Sequence, residues 1–410
     1  MKIPRYSFFF LSTLALFSVV ALFLAFASFQ NKITYQKCEE LGLPILEINI
    51  EGGKKVKEKN NYLKASFNIA GISGKCKIRG HGNSTWKALK KPYLLKLNAP
   101  ESLLGMKSAE KWILMANYFD KTSLRNAYSS YIAKNIFSNQ RWSPDNRFIT
   151  LFINGRYEGL YQIYEKIEQH ENRLDLKPDS FLMVVNTRMN KEFNFVTKGF
   201  VHISNQDNGI TEAKFTDYKN YVQKAEDVLY SDNFEDSAEG WQHYMDIDSF
   251  IDWFLINEYG KNHDALFMAS CYFFYDSEKG KLCMGPAWDF DIAFGADPHD
   301  DCNLPEGWYL NQFFWYKRLF EDKVFVNALK SRWEEKADDL RASIEWIKQE
   351  AEMLQEARML DDAIWKTIGN RIWPHTPGWR QRKTYVSEVK YMTDWCQQRF
   401  DWLDAAIKQL

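Results

Sequence analysis

Between residues 148 and 167 the chain reads FITLFINGRYEGLYQIYEKI, with Asn154-Gly155 between two apolar runs. Asn-Gly favours the positive φ angles of a type I′ turn, whose twist matches two antiparallel strands, and it is the strongest short-range hairpin signal. Residues 148–153 and 157–167 are therefore expected to form an antiparallel pair. This one feature excludes an all-helical fold and a purely parallel sheet.

The remaining segments divide between the two periodicities. Residues 44–50 (PILEINI) alternate as a strand, residues 51–61 read as a loop rich in Lys, Gly and Asn, and strands and loops continue to about residue 100. Residues 121–137 follow a helical period, with Leu124, Tyr128, Tyr131, Ile132 and Phe137 on or near one face. A second helix is expected over 211–230, followed by the acidic linker SDNFEDSAEG. Asp248 is placed to cap a third helix, carrying Phe250, Trp253, Phe254 and Asn257 and stopped by Gly260. After the polar loop KNHD come a strand over 271–275, the turn DSEKG, and a strand ending at Gly285-Pro286. The tail from about residue 322 to 410 is largely helical, with a break near Pro374 and Pro377. The fold class is α+β, as one large or two intimately packed domains.

The N-terminus stands apart from this pattern. Lys2 and Arg5 precede 23 uncharged residues, Ser7 to Phe29, and a helix of that length extends ~34 Å, enough to cross a hydrocarbon core of ~30 Å. Residues 1–30 are read as a signal anchor, or as a signal peptide cleaved after the small residues around Ala25-Phe26-Ala27. Either way the domain is expected outside the cytoplasm, membrane-anchored or secreted. The whole chain has 53 basic against 54 acidic side chains, a formal charge of −1. Such a balance gives no electrostatic reason to bind nucleic acid. Six cysteines permit up to three disulfides in an oxidising compartment. If residues 277–280 form a hairpin loop, however, Cys271 and Cys283 are not cross-strand neighbours, and buried free thiols are expected. No CxxC and no Cys/His cluster is present in the sequence, which argues against zinc.

The densest chemistry lies in GPAWDFDIAFG, residues 285–295, where Asp289 and Asp291 flank one aromatic directly after a strand. Alternate residues of an extended chain point the same way, so these carboxylates can converge on one hard cation such as Mg²⁺. In isolation the same D-x-D also reads as a solvated turn over a packed Trp and Phe. Upstream, Asn257, Glu258, Asn262, His263 and Asp264 crowd eight positions at and after a helix end. Asp264 occupies a loop between a helix and the hairpin leading to Asp289. Protein kinases use the same order of helix, loop Asp that positions a hydroxyl, hairpin and metal-binding Asp. The position five after Asp264, where a kinase places a metal-binding Asn, is Ala269.

The first half contains CKIRGHGNSTWKALKKPYLLKL, residues 76–97. Gly80 and Gly82 let backbone N–H groups approach an anion, and Ser84 and Thr85 add hydroxyl donors. In the strand that follows, Tyr93, Leu95 and Leu97 face one way while Leu94 and Lys96 face the other. Lys96 thus follows a Gly-rich turn as a phosphate-pairing lysine does, whereas Lys90 and Lys91 read equally as a solvated basic patch. No Glu lies between Lys121 and Phe137, so a partner for Lys96 must be absent or come from Glu158 or Glu165.

Together these segments resemble the CotH spore-coat kinase-like family over roughly residues 76–340. The resemblance rests on RGHGNSTW with KKPYLLKL, LLGMKSAEKWILMANYFDKTSLRN, LFINGRYEGLYQIYEKI, NHD and GPAWDFDIAFG, in that order. It implies an atypical two-lobed kinase fold that binds ATP with Mg²⁺, or Mn²⁺, and phosphorylates Ser/Thr of exported or cell-envelope proteins. Asp264 would be the catalytic Asp and Asp289, with Asp291, the metal site. Arg79, Gly80, Gly82, Ser84 and Lys96 would hold the nucleotide. The expected organisation is residues 1–30 as anchor or signal, 31–75 as a strand and linker region, 76–340 as the kinase-like domain and 341–410 as a helical extension packed on it.

Three other readings fit parts of the sequence. A kinase-like scaffold without catalysis is favoured by the missing helix Glu and by Ala269. A surface-binding protein is suggested by 15 Trp, 21 Tyr and 30 Phe, although the spacing of Trp395, Arg399 and Trp402 on one helical face points to core packing. A glycosyltransferase could use Asp289 and Asp291 as a metal motif, but the alternating strand-helix pattern of a doubly wound sheet is absent.

Overall fold

The structure is a computed structural model that describes residues 34–207 and 209–410. The apolar run of residues 7–29 lies outside the described residues. Among the described residues no helix is long and apolar enough to cross a membrane.

The expected hairpin forms and closes a barrel. Strands β1 (Ile45–Ile50), β2 (Leu63–Ile69), β3 (Ile72–Gly80), β4 (Tyr93–Glu101), β5 (Ala109–Met115), β6 (Asn146–Ile153) and β7 (Arg156–Glu165) pair in the order β1-β2-β3-β4-β5-β7-β6. Ring closure comes from β1, which pairs parallel to β6 with Ile45 opposite Thr150. The period-two pattern aims Leu46, Ile48, Phe67, Ile78, Leu95, Trp112, Leu151 and Tyr161 into one shared core. Tyr93, Leu95 and Leu97 belong to that core, while Leu94 on the opposite face packs with Ile113 and Tyr164. The first two strands lie in the same barrel as those beyond residue 76.

The second half combines helices with a smaller antiparallel sheet. Its strands β8 (Phe181–Val185), β9 (Asn194–Val196), β10 (His202–Asn205), β11 (Cys271–Asp276) and β12 (Lys281–Met284) run in the order β12-β11-β8-β10-β9. The last two form the predicted hairpin, with Asp276 opposite Lys281. The helices are α1 (Arg125–Asn135), α2 (Glu212–Leu229), α3 (Ile247–Gly260), α4 (Phe314–Leu319), α5 (Lys323–Ala342), α6 (Ile344–Trp365) and α7 (Tyr385–Lys408). The mixed α+β class is therefore observed. All six cysteines are buried and unpaired.

Two helix boundaries differ from expectation. Helix α1 starts at Arg125, four residues late, because Asp120 binds the turn before it: its carboxylate accepts from the backbone N–H groups of Thr122 at 2.9 Å and Arg125 at 2.8 Å. Helix α3 is capped by Asp246, which accepts from Ser249 N at 3.1 Å, and Asp248 lies inside the first turn. Gly260 is the last helical residue, and the left-handed position falls on Lys261, φ 42°. The glycine is needed for proximity, since a Cβ there would stand 3.2 Å from the Phe290 ring. α3 is buried almost all round, as its continuous apolar composition requires.

The C-terminal helices join both halves. Lys90, before β4, meets Asp361 of α6 at 2.7 Å with both side chains buried, and the same carboxylate accepts from Leu160 N of β7. Trp395, Arg399 and Trp402 pack inward: the Trp395 indole donates to Asn303 O at 2.8 Å, and Arg399 lies 5.0 Å from the Trp402 ring. Core packing accounts for this row.

Candidate functional site

α3 delivers the chain into the loop that carries Asp264. Asn262 Nδ2 donates to Asn257 Oδ1 at 3.1 Å and Ala265 N to Asn262 O at 3.0 Å, shaping a short 3-10 turn over His263–Ala265. The Asp264 carbonyl then accepts from Met268 N, Ala269 N and the Cys271 thiol, which fixes the start of β11 beneath it. Glu258, crowded with these residues in the sequence, is structural. It lies fully buried against Arg399.

Asp289 is not in an extended segment. Its φ is 67°, a left-handed conformation costly for a residue with a Cβ, so the D-x-D is a turn where a strand-like stretch was expected. Neighbouring bonds hold that turn. Ala287 N donates to Gln140 Oε1 at 2.6 Å, Phe290 N to Asn126 Oδ1 at 2.8 Å, and Arg125 Nε to Ala293 O at 2.9 Å. Ser270 Oγ donates to Asp289 Oδ2 at 2.9 Å. Trp288 meets Tyr164 edge to face at 5.5 Å and packs with Leu94 and Ile113, docking the turn on the outside of the barrel. The carboxylates thus lie where the barrel meets the helical half.

Asp289 acts on both of the other acids, Asp264 and Asp291. Burial, and after it the charge of Asp289, push the Asp264 carboxyl up to about 7 against the pull of Arg188. Asp289 is raised by burial, opposed by the Ser270 hydrogen bond and by Arg188. Asp291 is held well above the carboxylate range by burial, then by Asp289, Asp264 and Asp120, with Arg125 opposing. Acids that repel one another in a poorly solvated site take up protons or a cation. Carboxylate oxygens are the donors a hard divalent ion prefers, and Asp289 and Asp291 are the two that the turn presents on either side of Phe290 in the sequence.

The glycine-rich turn is arranged differently from the sequence expectation. Gly80 makes room for Trp86, whose ring atoms would lie 2.5 Å from a Cβ. Gly82 takes φ 79°, and its carbonyl accepts from Lys59 Nζ at 2.8 Å. Arg79 donates to Lys59 O and Gly80 O and lies 5.2 Å from the Tyr62 ring, so its guanidinium is engaged by the barrel. Ser84 precedes a short 3-10 turn, Thr85–Lys87, without a side-chain cap bond. Lys96 is 40% exposed and pairs with Glu110 at 3.5 Å, on the neighbouring strand. Neither proposed partner reaches it: Glu158 pairs with Arg156 and Glu165 with Arg173. Lys90 is buried, and Lys91 donates to Trp86 O at 2.7 Å, so they are no solvated patch.

The cations that the site does contain come from elsewhere. Arg188 acts on both Asp264 and Asp289. Lys166, at the end of β7, is held below the lysine range by burial despite Glu168, 3.4 Å away, which also takes Lys111 at 2.6 Å. Burial holds His81, in the glycine-rich turn, at about 3, and the charges of Arg79, Lys166, Lys59 and Lys191 lower it in the same direction. Arg188 and Lys191 lie in the polar stretch 186–193, where no periodicity marks a side chain as inward-facing.

Fold and site define a mixed α+β protein with an acidic cluster at the junction of a barrel and a helical half. The chain belongs to the CotH kinase protein family, whose profile matches residues 78–403, and it is on that ground a kinase-like protein. The match reaches from β3 into α7 and so includes the C-terminal helices. No curated protein matches the chain.

Proposed function

We propose that the chain is an ATP- and Mg²⁺-dependent protein kinase, with Mn²⁺ as a substitute ion, acting on Ser/Thr hydroxyls of exported or cell-envelope proteins. The observation that carries this is three acids in the order loop, hairpin, turn, with Asp289 held in a left-handed turn by Ser270 and acting on both Asp264 and Asp291. Here the barrel is one lobe and the helical half with its five-stranded sheet the other. Asp289 and Asp291 hold the cation, which supplies charge neutralisation for the phosphates. Asp264 orients the acceptor hydroxyl and takes its proton, a role suited to a carboxyl poised near neutrality. Arg188 and Lys166 add positive charge toward the phosphates, the part first assigned to Lys96. Residues 1–30 anchor or export the domain.

A nucleotide-binding scaffold is the second reading, favoured by Ala269, which is buried and offers no ligand where a kinase places Asn. One experiment separates the two. The full chain is incubated with γ-labelled ATP and Mg²⁺ or Mn²⁺, and label is followed into the chain itself and into dephosphorylated casein, alongside Asp264→Ala and Asp289→Ala. Transfer by the wild type that both variants lose is expected. Transfer that survives both overturns the site, and calorimetric ATP binding without transfer supports the scaffold.

A further inference from the structure

The fold brings together a second set of donors that the sequence keeps apart. His263, Asp297 and Cys302 each offer one ligand atom, and these atoms lie within 4.8 Å of one another. His263 precedes Asp264, while Asp297 and Cys302 bracket the loop that follows the Asp289–Asp291 turn. Asp297 and Cys302 are each 1% exposed. Cys302 Sγ stands 3.8 Å from His263 Nδ1, and Asp300 Oδ2 3.7 Å from the same nitrogen. In a tetrahedral zinc site, bonds of ~2.0–2.3 Å place neighbouring donors roughly 3.3–3.8 Å apart. The thiol and imidazole are already near that spacing.

The rest of the loop suits ligation. Asp297 Oδ1 accepts from His299 N at 3.0 Å and contacts His299 Nδ1 at 2.5 Å, the kind of outer contact that orients a ligating carboxylate. Asp300 and Asp301 both take positive φ, 47° and 58°, so the loop is bent tightly to return Cys302 toward His263. Tyr309 OH reaches His263 Nδ1 at 3.2 Å and Cys302 Sγ at 3.0 Å, bonds that an ion between these donors would replace.

We propose that His263, Asp297 and Cys302 form a site for zinc or a similar late transition metal, clamping the loop that carries Asp264 to the segment after Asp291. Sulfur and imidazole donors select such ions over Mg²⁺, so this site is chemically distinct from the all-oxygen cluster beside it. Asp300 or water supplies the fourth position. Binding exchanges the Cys302 thiol proton for the metal, and that proton leaves to solvent. The proposal stands whether or not the protein transfers phosphate.

The test uses the purified full chain, stripped with chelator and titrated with Co²⁺. The expected result is a thiolate-to-cobalt charge-transfer band in the near ultraviolet with tetrahedral visible bands, saturating at one equivalent and displaced by Zn²⁺. Cys302→Ser should abolish the charge-transfer band, His263→Asn should weaken Co²⁺ binding at least about tenfold, and Asp289→Asn should retain the band. If Cys302→Ser fails to fold, as judged by circular dichroism, His263→Asn decides. Absence of the band in folded wild type, or its persistence in Cys302→Ser, overturns the site.

Discussion

The carboxylate of Glu258 and the guanidinium of Arg399 meet at 2.6 Å with both side chains fully buried. Glu258 lies in the last turn of α3, six residues before Asp264, and also accepts from Tyr309 N at 2.8 Å and Leu310 N at 2.6 Å. Arg399 spends its other donors on the carbonyls of Glu258, Pro305 and Gly307. Removing one partner of such a pair leaves a buried charge uncompensated. Arg399→Ala is therefore expected to cost about 3–5 kcal/mol in denaturant unfolding. Arg399→Lys should also destabilise, because an ammonium cannot reproduce the guanidinium fork. A loss below about 1 kcal/mol for Arg399→Ala would show that the pair does not anchor α7 to the loop.

Lys96 and Arg188 make opposite predictions. The exposed Lys96–Glu110 pair is worth little, so Lys96→Met is expected to shift unfolding by less than about 0.5 kcal/mol. It should leave calorimetric affinity for a non-hydrolysable ATP analogue unchanged. Arg188→Met removes positive charge from the surroundings of Asp264 and Asp289 and should weaken that affinity about tenfold, near 1.4 kcal/mol. The reverse ranking would restore Lys96 as the phosphate partner.

How far the sequence could be read followed the range of its signals. Asn154-Gly155 and the alternating strands are local, and they located β6, β7, β11, β12 and the inward face of β4. Barrel closure depends on a parallel contact between β1 and β6, about a hundred residues apart, for which no local pattern exists. The approach of Asp264 to the Asp289–Asp291 turn was legible because one helix and one hairpin carry these residues. Lys96 misled because a strand's alternation gives a face but not what covers it, and its face at that point is solvent and Glu110. His263, Asp297 and Cys302 had no motif spacing, since a folded loop, rather than a fixed interval, joins them.

The acidic cluster predicts a specific pH dependence. Asp264 is raised to about 7 from 3.8, so the folded chain binds its proton more tightly than the unfolded chain. That contribution to stability is fully present below about pH 4 and is lost as pH rises through about 7. Without divalent cation, Asp264→Asn should raise Tm relative to wild type at pH 8, and the gain should vanish near pH 4. Because only ionised carboxylates bind a cation well, Mg²⁺ affinity of the wild type should increase from pH 6 to pH 8, with proton release seen as a buffer-dependent calorimetric enthalpy. A Tm difference independent of pH would refute the raised carboxyl.

Gly80 distinguishes packing from phosphate binding. A Cβ at this position would lie 2.5 Å from two ring atoms of Trp86, which is itself edge-on to Tyr93 at 6.4 Å and beneath Lys91 Nζ at 5.3 Å. The ring cannot give way without leaving both neighbours, so Gly80→Ala is expected to cost about 1–3 kcal/mol through overpacking. If packing is the whole cause, the same substitution in a Trp86→Leu background should cost much less, giving a coupling energy of about 1 kcal/mol or more in the double-mutant cycle. Affinity for the ATP analogue should then track the folded fraction alone. Additive stability losses, with a separate drop in nucleotide affinity for folded Gly80→Ala, would return Gly80 to the phosphate-binding turn.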